Sequence, residues 1–230
     1  MLGDFRTVHT RQLWEQFVAG ESINYQSLPD YVYRAWEDCR RSGIDPHKTL
    51  EMRCLTADKL DALMEEYAEL LEISKPVMDM VLFSTSDTPF IVMLTSNEGV
   101  ILHVTGNLES LSVQENYYNQ PGVYCERHTF SARATTLCLH EGKPVSLSGS
   151  EHYLEVFHNS LCYAAPVRDQ DGNVLACVSL ASSLSNRNQK TLSMVCAAAD
   201  NFSAQLQRKQ VHDASCTDSS THEKTRVVLH

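Results

Sequence analysis

The sequence predicts an α+β protein in which helices pack on a mostly antiparallel sheet. Two β-leaning apolar runs, 162–167 and 174–181, flank the turn-forming segment 169–173, a strong hairpin signal. A second hairpin is predicted from the runs 90–94 and 100–105, which enclose Asn-Glu-Gly. Helical spacing of apolar side chains precedes and follows these strands. Helices segregated from an antiparallel sheet define the α+β class.

Three helical segments are predicted before the first strand. Residues 7–18 and 28–42 each carry apolar side chains at helical spacing, and Gly43 ends the second. Residues 56–73 form the clearest amphipathic pattern, with an acidic start that suits the helix dipole. Pro76 is then expected in the first turn of a new helix, where its missing N–H is tolerated.

The second half of the chain is predicted to alternate short elements. Residues 131–140 are expected to form a short helix, 144–147 a brief strand and 151–159 a helix. The last long helix is expected over 188–211, where apolar residues form one stripe. From residue 212 onward the composition turns polar, which predicts a linker or disorder.

Composition and charge narrow the classes of function. The chain has 230 residues, 43% of them hydrophobic and 21% charged, which is ordinary for a globular protein. A net charge of −10 would repel a phosphate backbone, so no direct contact with nucleic acid is expected. Arg34, Arg40 and Arg41, on one predicted helix, are interpreted as a solvated face. The N-terminus has no apolar signal core, and no run approaches the ~20 residues of a membrane helix. A cytoplasmic protein without a membrane segment is therefore expected.

The cysteines and the missing catalytic motifs argue against an enzyme. In a reducing compartment, Cys138, Cys162, Cys177 and Cys196 are expected to be reduced core thiols, because they sit inside apolar runs. The sequence has no G-x-x-x-x-G-K-[ST], G-x-S-x-G or H-E-x-x-H motif and no closely spaced cysteine pair. No enzymatic activity, cofactor or metal is predicted. The alternative metal site would use Cys125, His128, His158 and Cys162, whose spacings match no standard zinc module.

Two stretches also carry a resemblance to a known family. The first stretch has, in this order, G-K-P-V, G-S-E-H and F-H-N-S-L-C-Y-A-A-P-V-R-D-Q-D-G-N-V-L. The second lies upstream and reads Y-R-A-W-E-D-C-R-R-S-G-I-D-P. Together they resemble bacterial sigma-54-dependent transcriptional activators. The match is to their GAF-type sensory domain, as in regulators of acetoin and dihydroxyacetone metabolism. The resemblance implies a helical lead-in over 1–55, a GAF-like sensory domain over 56–211 and a linker over 212–230 toward an output domain.

The resemblance also places a candidate ligand site. Counting back from Pro144, the family's W-S-E falls on residues 125–127 and its G-T-N-A on residues 131–134, and both segments depart from the family pattern here. These departures lie where such a domain encloses its ligand. The candidate ligand-binding residues are Tyr124, Cys125, Glu126, Arg133, His152, Cys162 and Tyr163.

Several of these residues have two interpretations. Arg133 could bind a carboxylate or phosphate; alternatively it faces solvent and pairs with Glu126 or Glu141, which is the slightly favoured interpretation. His152 could contact a ligand or cap the next helix. Cys162 and Tyr163 are neighbours on a strand, so one of them faces the pocket or core and the other faces away. The tyrosines at 117, 118 and 124 could cover a ligand or lie on the surface.

Three hypotheses of function follow. The first is an effector sensor that binds a small metabolite and relays the change through the helices 56–73 and 188–211, which could also form a homodimer. The second is a redox or metal sensor that uses Cys125, Cys162 and their histidine neighbours, in which Cys125, flanked by Arg127 and His128, is the best candidate for the reactive thiol. The third is a docking module for another protein.

Overall fold

The sheet has five antiparallel strands and occupies the centre of the protein. The computed structural model describes residues 2–48, 52–84, 88–112, 115–116, 118–125, 132–188 and 190–224, with side chains described between 8 and 209 except at 110. The strands are β1 (Ile91–Ser96), β2 (Ile101–Gly106), β3 (Val145–Ser148), β4 (Ser160–Arg168) and β5 (Val174–Ser183). Their order across the sheet is β2-β1-β5-β4-β3. Both predicted hairpins, β1–β2 and β4–β5, are confirmed.

Helices lie before, between and after the hairpins. They are α1 (Leu2–Val18), α2 (Asp30–Arg41), α3 (Ala57–Glu66), α4 (Ala68–Ser84), α5 (Ala134–Glu141) and α6 (Thr191–Lys224). The predicted α+β class with a helical N-terminal part is therefore confirmed. Within the described ranges, none of the helices combines the length and apolarity needed to cross a membrane.

The helices cover opposite faces of the sheet. One face carries Leu94, Val178 and Leu180, which pack with Met78 of α4 and Phe202 of α6 in one core cluster. The other face packs against α5 and, through the segment after β3, against the N-terminal helices. Buried side chains of α1 and α2 share a second cluster with α5 and β3: Leu13, Trp14, Phe17, Val32, Ala35, Trp36 and Cys39. The helical lead-in is thus part of the same core as the sheet.

The predicted helix 56–73 is divided at Tyr67 into α3 and α4. The prediction that Pro76 begins a new helix is wrong, because Pro76 lies inside α4. Its side chain is on the solvent-exposed side of that helix. A carbonyl left without its helical donor there can bond to water, which explains why the proline is tolerated at this position.

The predicted helix 151–159 is also wrong, since the segment contains two short 3₁₀ turns, Gly149–Glu151 and Glu155–Phe157. Two tryptophans of the N-terminal helices take backbone carbonyls that a helix would have used. Trp36 Nε1 donates to the Glu151 carbonyl at 3.0 Å, and Trp14 Nε1 donates to the Tyr153 carbonyl at 2.9 Å. Tertiary hydrogen bonds therefore replace the local helical ones in this segment.

The C-terminal helix is longer than predicted. We expected it to end at residue 211 and a linker or disorder to follow, but the backbone stays helical to Lys224. The stretch 212–224 contains neither glycine nor proline, so nothing in its composition ends the helix. Disorder over residues 212 to 224 is therefore a wrong expectation, and the linker stays a prediction.

Candidate functional site

The two central strands carry small side chains on the face that α5 covers. In the register between β4 and β5, Cys162 of β4 is paired with Ala181 of β5, and Ala164 with Ser179. Larger residues stand on the flanking strands: Ile91 and Met93 of β1 are paired with Ala181 and Ser179, and Val145 and Leu147 of β3 with Ala164 and Cys162. Because paired residues share a face, the small side chains form a trough between rows of larger ones.

The helix α5 covers the row of small side chains near Ala164. Near Cys162, the row extends past the first residue of that helix. Cys138 of α5 packs in the same cluster as Ala164 and Cys177. At the other end, Cys162 keeps part of its surface accessible although its paired neighbours Leu147 and Ala181 are only 1% and 2% exposed. We call Cys162, Ser179 and Ala181 the small-residue floor.

Arg133, at the N-terminal cap of α5, lies buried near this floor. Its side chain is 5% exposed, so the favoured interpretation of a solvent-facing arginine is wrong. Nη1 donates to the Tyr118 carbonyl at 3.3 Å and to Cys125 Sγ at 3.5 Å, and Nη2 donates to Asn119 Oδ1. The guanidinium also lies 5.3 Å from the centre of the Phe157 ring, within cation–π range. The donors of Arg133 are thus used to hold the loop 118–125 in place.

Glu115 is a second buried charged residue of the site, and the sequence interpretation missed it. It is 4% exposed. Glu115 Oε2 accepts from the Ser112 N–H at 2.8 Å, and Ser112 Oγ accepts from the Glu115 N–H at 3.2 Å. Asn119 Nδ2 also donates to the Glu115 carbonyl at 2.9 Å, which links this residue to Arg133 through Asn119. The S-x-x-E spacing typical of a capping box was the signal that could have identified it.

Four described polar atoms on or near this face of the sheet are buried and have no hydrogen-bond partner. They are Glu115 Oε1, Ser179 Oγ, Thr95 Oγ1 and His152 Nε2. Buried polar atoms are normally bonded, and an isolated one costs about 1–3 kcal/mol. Such a concentration is typical of a place where a ligand or ordered water supplies the missing partners.

His152, one of the predicted site residues, is fully buried and neutral. Its Nδ1–H donates to the Gly149 carbonyl at 3.0 Å, so Nε2 is left as an acceptor. Burial, opposed by that backbone hydrogen bond, lowers the pKa of His152 to about 3. Its ring centre is 5.8 Å from that of Phe157, which in turn contacts Arg133. His152 thus lies next to the Arg133 cluster, and it caps no α-helix.

Neither of the two thiols Cys125 and Cys162 is exposed: Cys125 is buried and Cys162 is half-buried. Burial raises the pKa of Cys125, although the Arg133 charge opposes the shift. Burial also raises the pKa of Cys162 to about 12, with Arg133 lowering it and with Glu115 and Cys125 raising it. Cys162 packs against the cluster that contains Cys125, to which Arg133 is bonded. A reactive thiol needs a lowered pKa and exposure, so the burial and the raised pKa of Cys125 do not support the redox hypothesis.

The metal alternative gains no support from the described part of the chain, which contains no group of three potential ligands. His158 is occupied otherwise: its Nε2–H donates to the His152 carbonyl at 3.2 Å, and its Nδ1 lies 3.3 Å from Ser150 Oγ. His158 is thus a structural histidine with both ring nitrogens in contact with polar partners. His128 lies outside the described residues.

The remaining candidates are dispersed. Tyr163 lies on the α6 face of the sheet, opposite to Cys162, and its hydroxyl donates to the Asn188 carbonyl at 3.2 Å.

Tyr124 is half-buried and its ring lies 4.8 Å from the Arg53 guanidinium. Glu126 and Tyr117 lie outside the described residues. Tyr118 is fully buried and contacts Phe157. The structure therefore brings together Cys125, Arg133, His152 and Cys162, without Tyr124 or Tyr163.

A surface cleft of ≈ 340 Å³ between α2 and α5 is a weaker candidate. Its charges are paired with one another: Arg34 with Glu141 at 2.8 Å, and Arg41 with Asp38. Together with the Arg40–Glu37 pair, these contacts confirm that the three arginines form a solvated face. A polar ligand in this cleft would have to compete with these ion pairs.

Thiol labelling tests the burial of the cysteines. At pH 7.5 we expect Cys54, the exposed one among the seven described cysteines, to react quickly with an aromatic disulfide reagent. The buried thiols Cys125, Cys138 and Cys177 are expected to react at least about 100-fold more slowly, because the reagent cannot reach them in the folded protein. Mass spectrometry of a Cys54→Ser, Cys216→Ser double variant gives the measurement without the exposed thiol. Fast labelling of Cys125 in folded protein would restore the redox hypothesis.

Acid is expected to destabilise the fold through its buried histidines. The folded-state pKa values, about 3 for His152 and about 4 for His158, lie below the ordinary value of 6.5. The unfolded chain therefore binds more protons below pH 6.5, and the free energy of unfolding falls as the pH drops from 6.5 toward these values. At pH 5 the loss is about 2 kcal/mol for each histidine.

Urea unfolding at pH 7.5 and at pH 5.0 measures this loss. His152→Asn, whose amide can still donate to the Gly149 carbonyl, should show a smaller difference between the two pH values than the wild type. His9→Asn, at an exposed position, is the matched control and should leave the difference unchanged. An equal pH dependence in wild type and His152→Asn would contradict the assignment.

The fold and the sequence of the chain are similar to those of known regulatory proteins. The chain resembles the crystal structure of the E. coli DhaR(N)–DhaL complex, with a TM-score of 0.80 at 14% identity over 88% of this chain and 69% of that one. It is 22% identical, over 82% of its length, to the acetoin dehydrogenase operon transcriptional activator AcoR of Bacillus subtilis. It is 21% identical, over 71% of its length, to the propane 2-monooxygenase operon transcriptional activator MimR of Mycolicibacterium goodii.

The chain belongs to the MimR N-terminal domain family, whose sequence model matches residues 7–206. It spans 31% of the length of AcoR and 27% of that of MimR, so it corresponds to a part of these activators. The chain is thus a regulatory, N-terminal sensory domain of the kind found in transcriptional activators.

Proposed function

We propose that the domain senses a small organic effector for a sigma-54-dependent transcriptional activator in the cytoplasm, and that the effector binds over the small-residue floor. The observation that carries the proposal is the set of buried, unpartnered polar atoms beside small side chains in the middle of the sheet. Ligand pockets in proteins are mostly apolar, with a few fixed polar groups that orient the ligand. Membership of a family of activator domains supports a regulatory outcome of binding.

The sheet itself connects this site to the helices on its other face. Ser179 and Ala181 of β5 alternate with Val178 and Leu180, which pack against the helices α4 and α6. A ligand that binds two arrangements of these strands with different affinity would shift the packing of α6. We further propose that α4 and α6 form a homodimer, which light scattering of the purified chain would detect. Met80 and Phe83 of α4 are 46% and 83% exposed and are available for such a contact.

Filling the floor tests the proposal. Ala181→Leu places a larger side chain between Ile91 and Cys162 and is expected to abolish the rise in melting temperature that the effector causes. A ligand at about 100 times its dissociation constant stabilises the wild type by roughly 2.7 kcal/mol, so the difference is readily measured. Ala197→Leu, at an exposed position of α6, is the control and should keep the full effect.

The panel for this experiment contains small ketones, diols, alcohols and aromatic acids, together with zinc and a chelator. Stabilisation that persists equally in Ala181→Leu would move the site away from the floor. If only zinc or the chelator changed the melting temperature, the effector proposal would be wrong.

A second candidate function is the docking of another protein. It is supported by the resemblance of the fold to DhaR(N), which the solved structure shows in complex with DhaL. The exposed Met80 and Phe83 provide an apolar surface for such a contact. Co-purification of one protein in constant ratio, with no organic molecule stabilising the domain, would favour docking over effector binding.

A further inference from the structure

The helices α5 and α6 lie on opposite faces of the sheet, and both are bonded to one residue at the end of β4. The last turn of α5 is closed by Gly142, whose φ of +60° is left-handed. Carbonyl groups at the end of a helix have no donor within the helix and need one from elsewhere. Arg168, the last residue of β4, supplies a donor, because its Nη2 donates to the Gly142 carbonyl. A positive charge at this place also suits the dipole of the helix.

The same guanidinium holds the turn between β4 and β5. Arg168 Nη1 donates to the Gly172 carbonyl at 2.6 Å. The register between β4 and β5 shifts between Val167 and Arg168, and an irregularity of this kind changes the direction of a side chain. One rigid, planar fork thus holds two carbonyl groups from separate segments, a geometry that the ammonium group of a lysine does not reproduce.

The main chain at the end of β4 is bonded to the helix on the opposite face. The Arg168 N–H donates to Ser203 Oγ of α6 at 2.9 Å, and Ser203 Oγ donates to the Ala199 carbonyl at 2.8 Å. The next carbonyl, that of Asp169, accepts from Gln207 Nε2 at 3.1 Å. Ser203 and Gln207 are four residues apart, so they lie on the same side of α6. The end of β4 therefore contacts α6 at two successive helical turns.

The other end of α5 lies at the candidate site. Arg133, whose side chain holds the loop 118–125, is the N-terminal cap of this helix. In the first turn, Thr136 Oγ1 donates to the Cys125 carbonyl at 3.2 Å. The eight residues of α5 span only about 12 Å. Because so short a helix moves as one body, a displacement at its start also displaces the Gly142 carbonyl at its end.

We propose that Arg168 connects α5 to α6, so that a displacement of α5 changes the position of α6. The guanidinium moves with the end of α5, the β4–β5 turn moves with the guanidinium, and the bonds to Ser203 and Gln207 pass the change to α6. The biological use of this connection rests on the effector sensing proposed above, since the candidate site adjoins the start of α5. The connection is a second route to α6, beside the packed side chains of the strands.

Hydrogen exchange of the purified domain, with no effector present, tests the connection. Thr136→Val keeps the shape of the side chain but removes its bond to the Cys125 carbonyl, which loosens the start of α5. In the wild-type background, we expect this change to speed amide exchange in 199–207 of α6 about 5-fold more than in 70–81 of α4. Both segments pack on the same face of the sheet, so α4 reports any general loss of stability. Mass spectrometry of peptic peptides gives both rates.

Two variants break the connection at different points. Arg168→Lys keeps the charge and the N–H that bonds Ser203, but it does not hold both carbonyl groups in the same geometry. Ser203→Ala leaves the guanidinium contacts in place and removes the hydroxyl contact with α6. In either background, Thr136→Val should speed exchange in α6 and α4 equally.

Arg34→Lys is the matched control. Arg34 Nη2 donates to Glu141 Oε1 at 2.8 Å, so this arginine also contacts the end of α5, but from α2 and at an exposed position. The control variant should keep the difference of about 5-fold between α6 and α4. Urea unfolding of each variant verifies the fold.

The outcomes separate this inference from the proposed function. An equal effect of Thr136→Val on α6 and α4 in the wild-type background overturns the connection. A difference that persists in Arg168→Lys, or one that Arg34→Lys also removes, does the same. If Arg168→Lys does not fold, Ser203→Ala decides, and a persistent difference there overturns the proposal. Since no effector is used, none of these results bears on effector binding, and failure of every organic compound to bind would remove the proposed function alone.

Discussion

Replacing Trp36 with alanine is expected to lower the free energy of unfolding by about 3–5 kcal/mol, a large part of the stability of a domain of this size. The side chain of Trp36 is fully buried, and its ring centre lies 5.4 Å from that of Phe17. Its Nε1–H donates to the Glu151 carbonyl, so the variant loses an anchor of the 3₁₀ segment as well as core volume. Loss of the anchor should also loosen the lead-in from the sheet.

Urea unfolding followed by far-UV circular dichroism gives the measurement. Trp36→Phe retains an aromatic ring but not the N–H, and its cost relative to the alanine variant separates packing from the hydrogen bond. We expect Trp36→Phe to keep more than half of the stability that Trp36→Ala loses, because one hydrogen bond contributes only about 0.5–1.5 kcal/mol. A cost below about 1 kcal/mol for Trp36→Ala would mean that the lead-in is not part of the common core.

Gly106→Ala is expected to destabilise the protein by about 2–5 kcal/mol, because backbone strain and overpacking coincide there. Gly106 ends β2 with φ +113°, a conformation that residues with a side chain rarely adopt. A Cβ at this position would lie 2.4 Å from the Phe90 carbonyl oxygen and 3.1 Å from Ile91 Cα. Both are backbone atoms of the neighbouring strand, so relief requires β1 and β2 to move apart.

Gly172→Ala is the matched control for this prediction. Gly172 also has a positive φ, +84°, but no heavy atom lies within 4 Å of the position that a Cβ would take there. The control carries the backbone strain alone and should cost about 1–2 kcal/mol. Thermal and urea unfolding of both variants measure the difference, and equal costs would show that the contact with β1 is not what constrains Gly106.

The elements that the sequence predicts well are those whose signals are local. The β4–β5 hairpin follows from apolar runs around an Asp-Gly-Asn turn, and Asp169 does accept from the N–H of Asn173 at 2.8 Å. The 3₁₀ turns after Gly149 could not be predicted in this way. The tryptophans that donate to the backbone carbonyls of this segment lie more than 100 residues earlier in the chain. Trp36, for example, is 115 residues from Glu151.

The candidate site shows the same division. Cys125, Arg133, His152 and Cys162 could be proposed because the family resemblance places them, but the burial of Arg133 depends on Tyr118 and Asn119, whose positions the sequence does not give. Glu115 carried a visible capping signal with Ser112. Ser179 carried none, because a serine within an apolar strand looks the same whether it faces a core or a ligand.

The uninterrupted course of α6 gives the domain a mechanical property. Its 34 residues from Thr191 to Lys224 span about 51 Å at 1.5 Å per residue. Val195, Phe202 and Leu206 pack the first half of the helix against the sheet. A tilt of the helix at this contact therefore moves its second half. The part of the helix beyond Leu206 is roughly 27 Å long, so a tilt of about 5° at this contact displaces its far end by about 2 Å. Small rearrangements of the sheet that leave the fold unchanged would thus become motions of about 2 Å at the far end of α6.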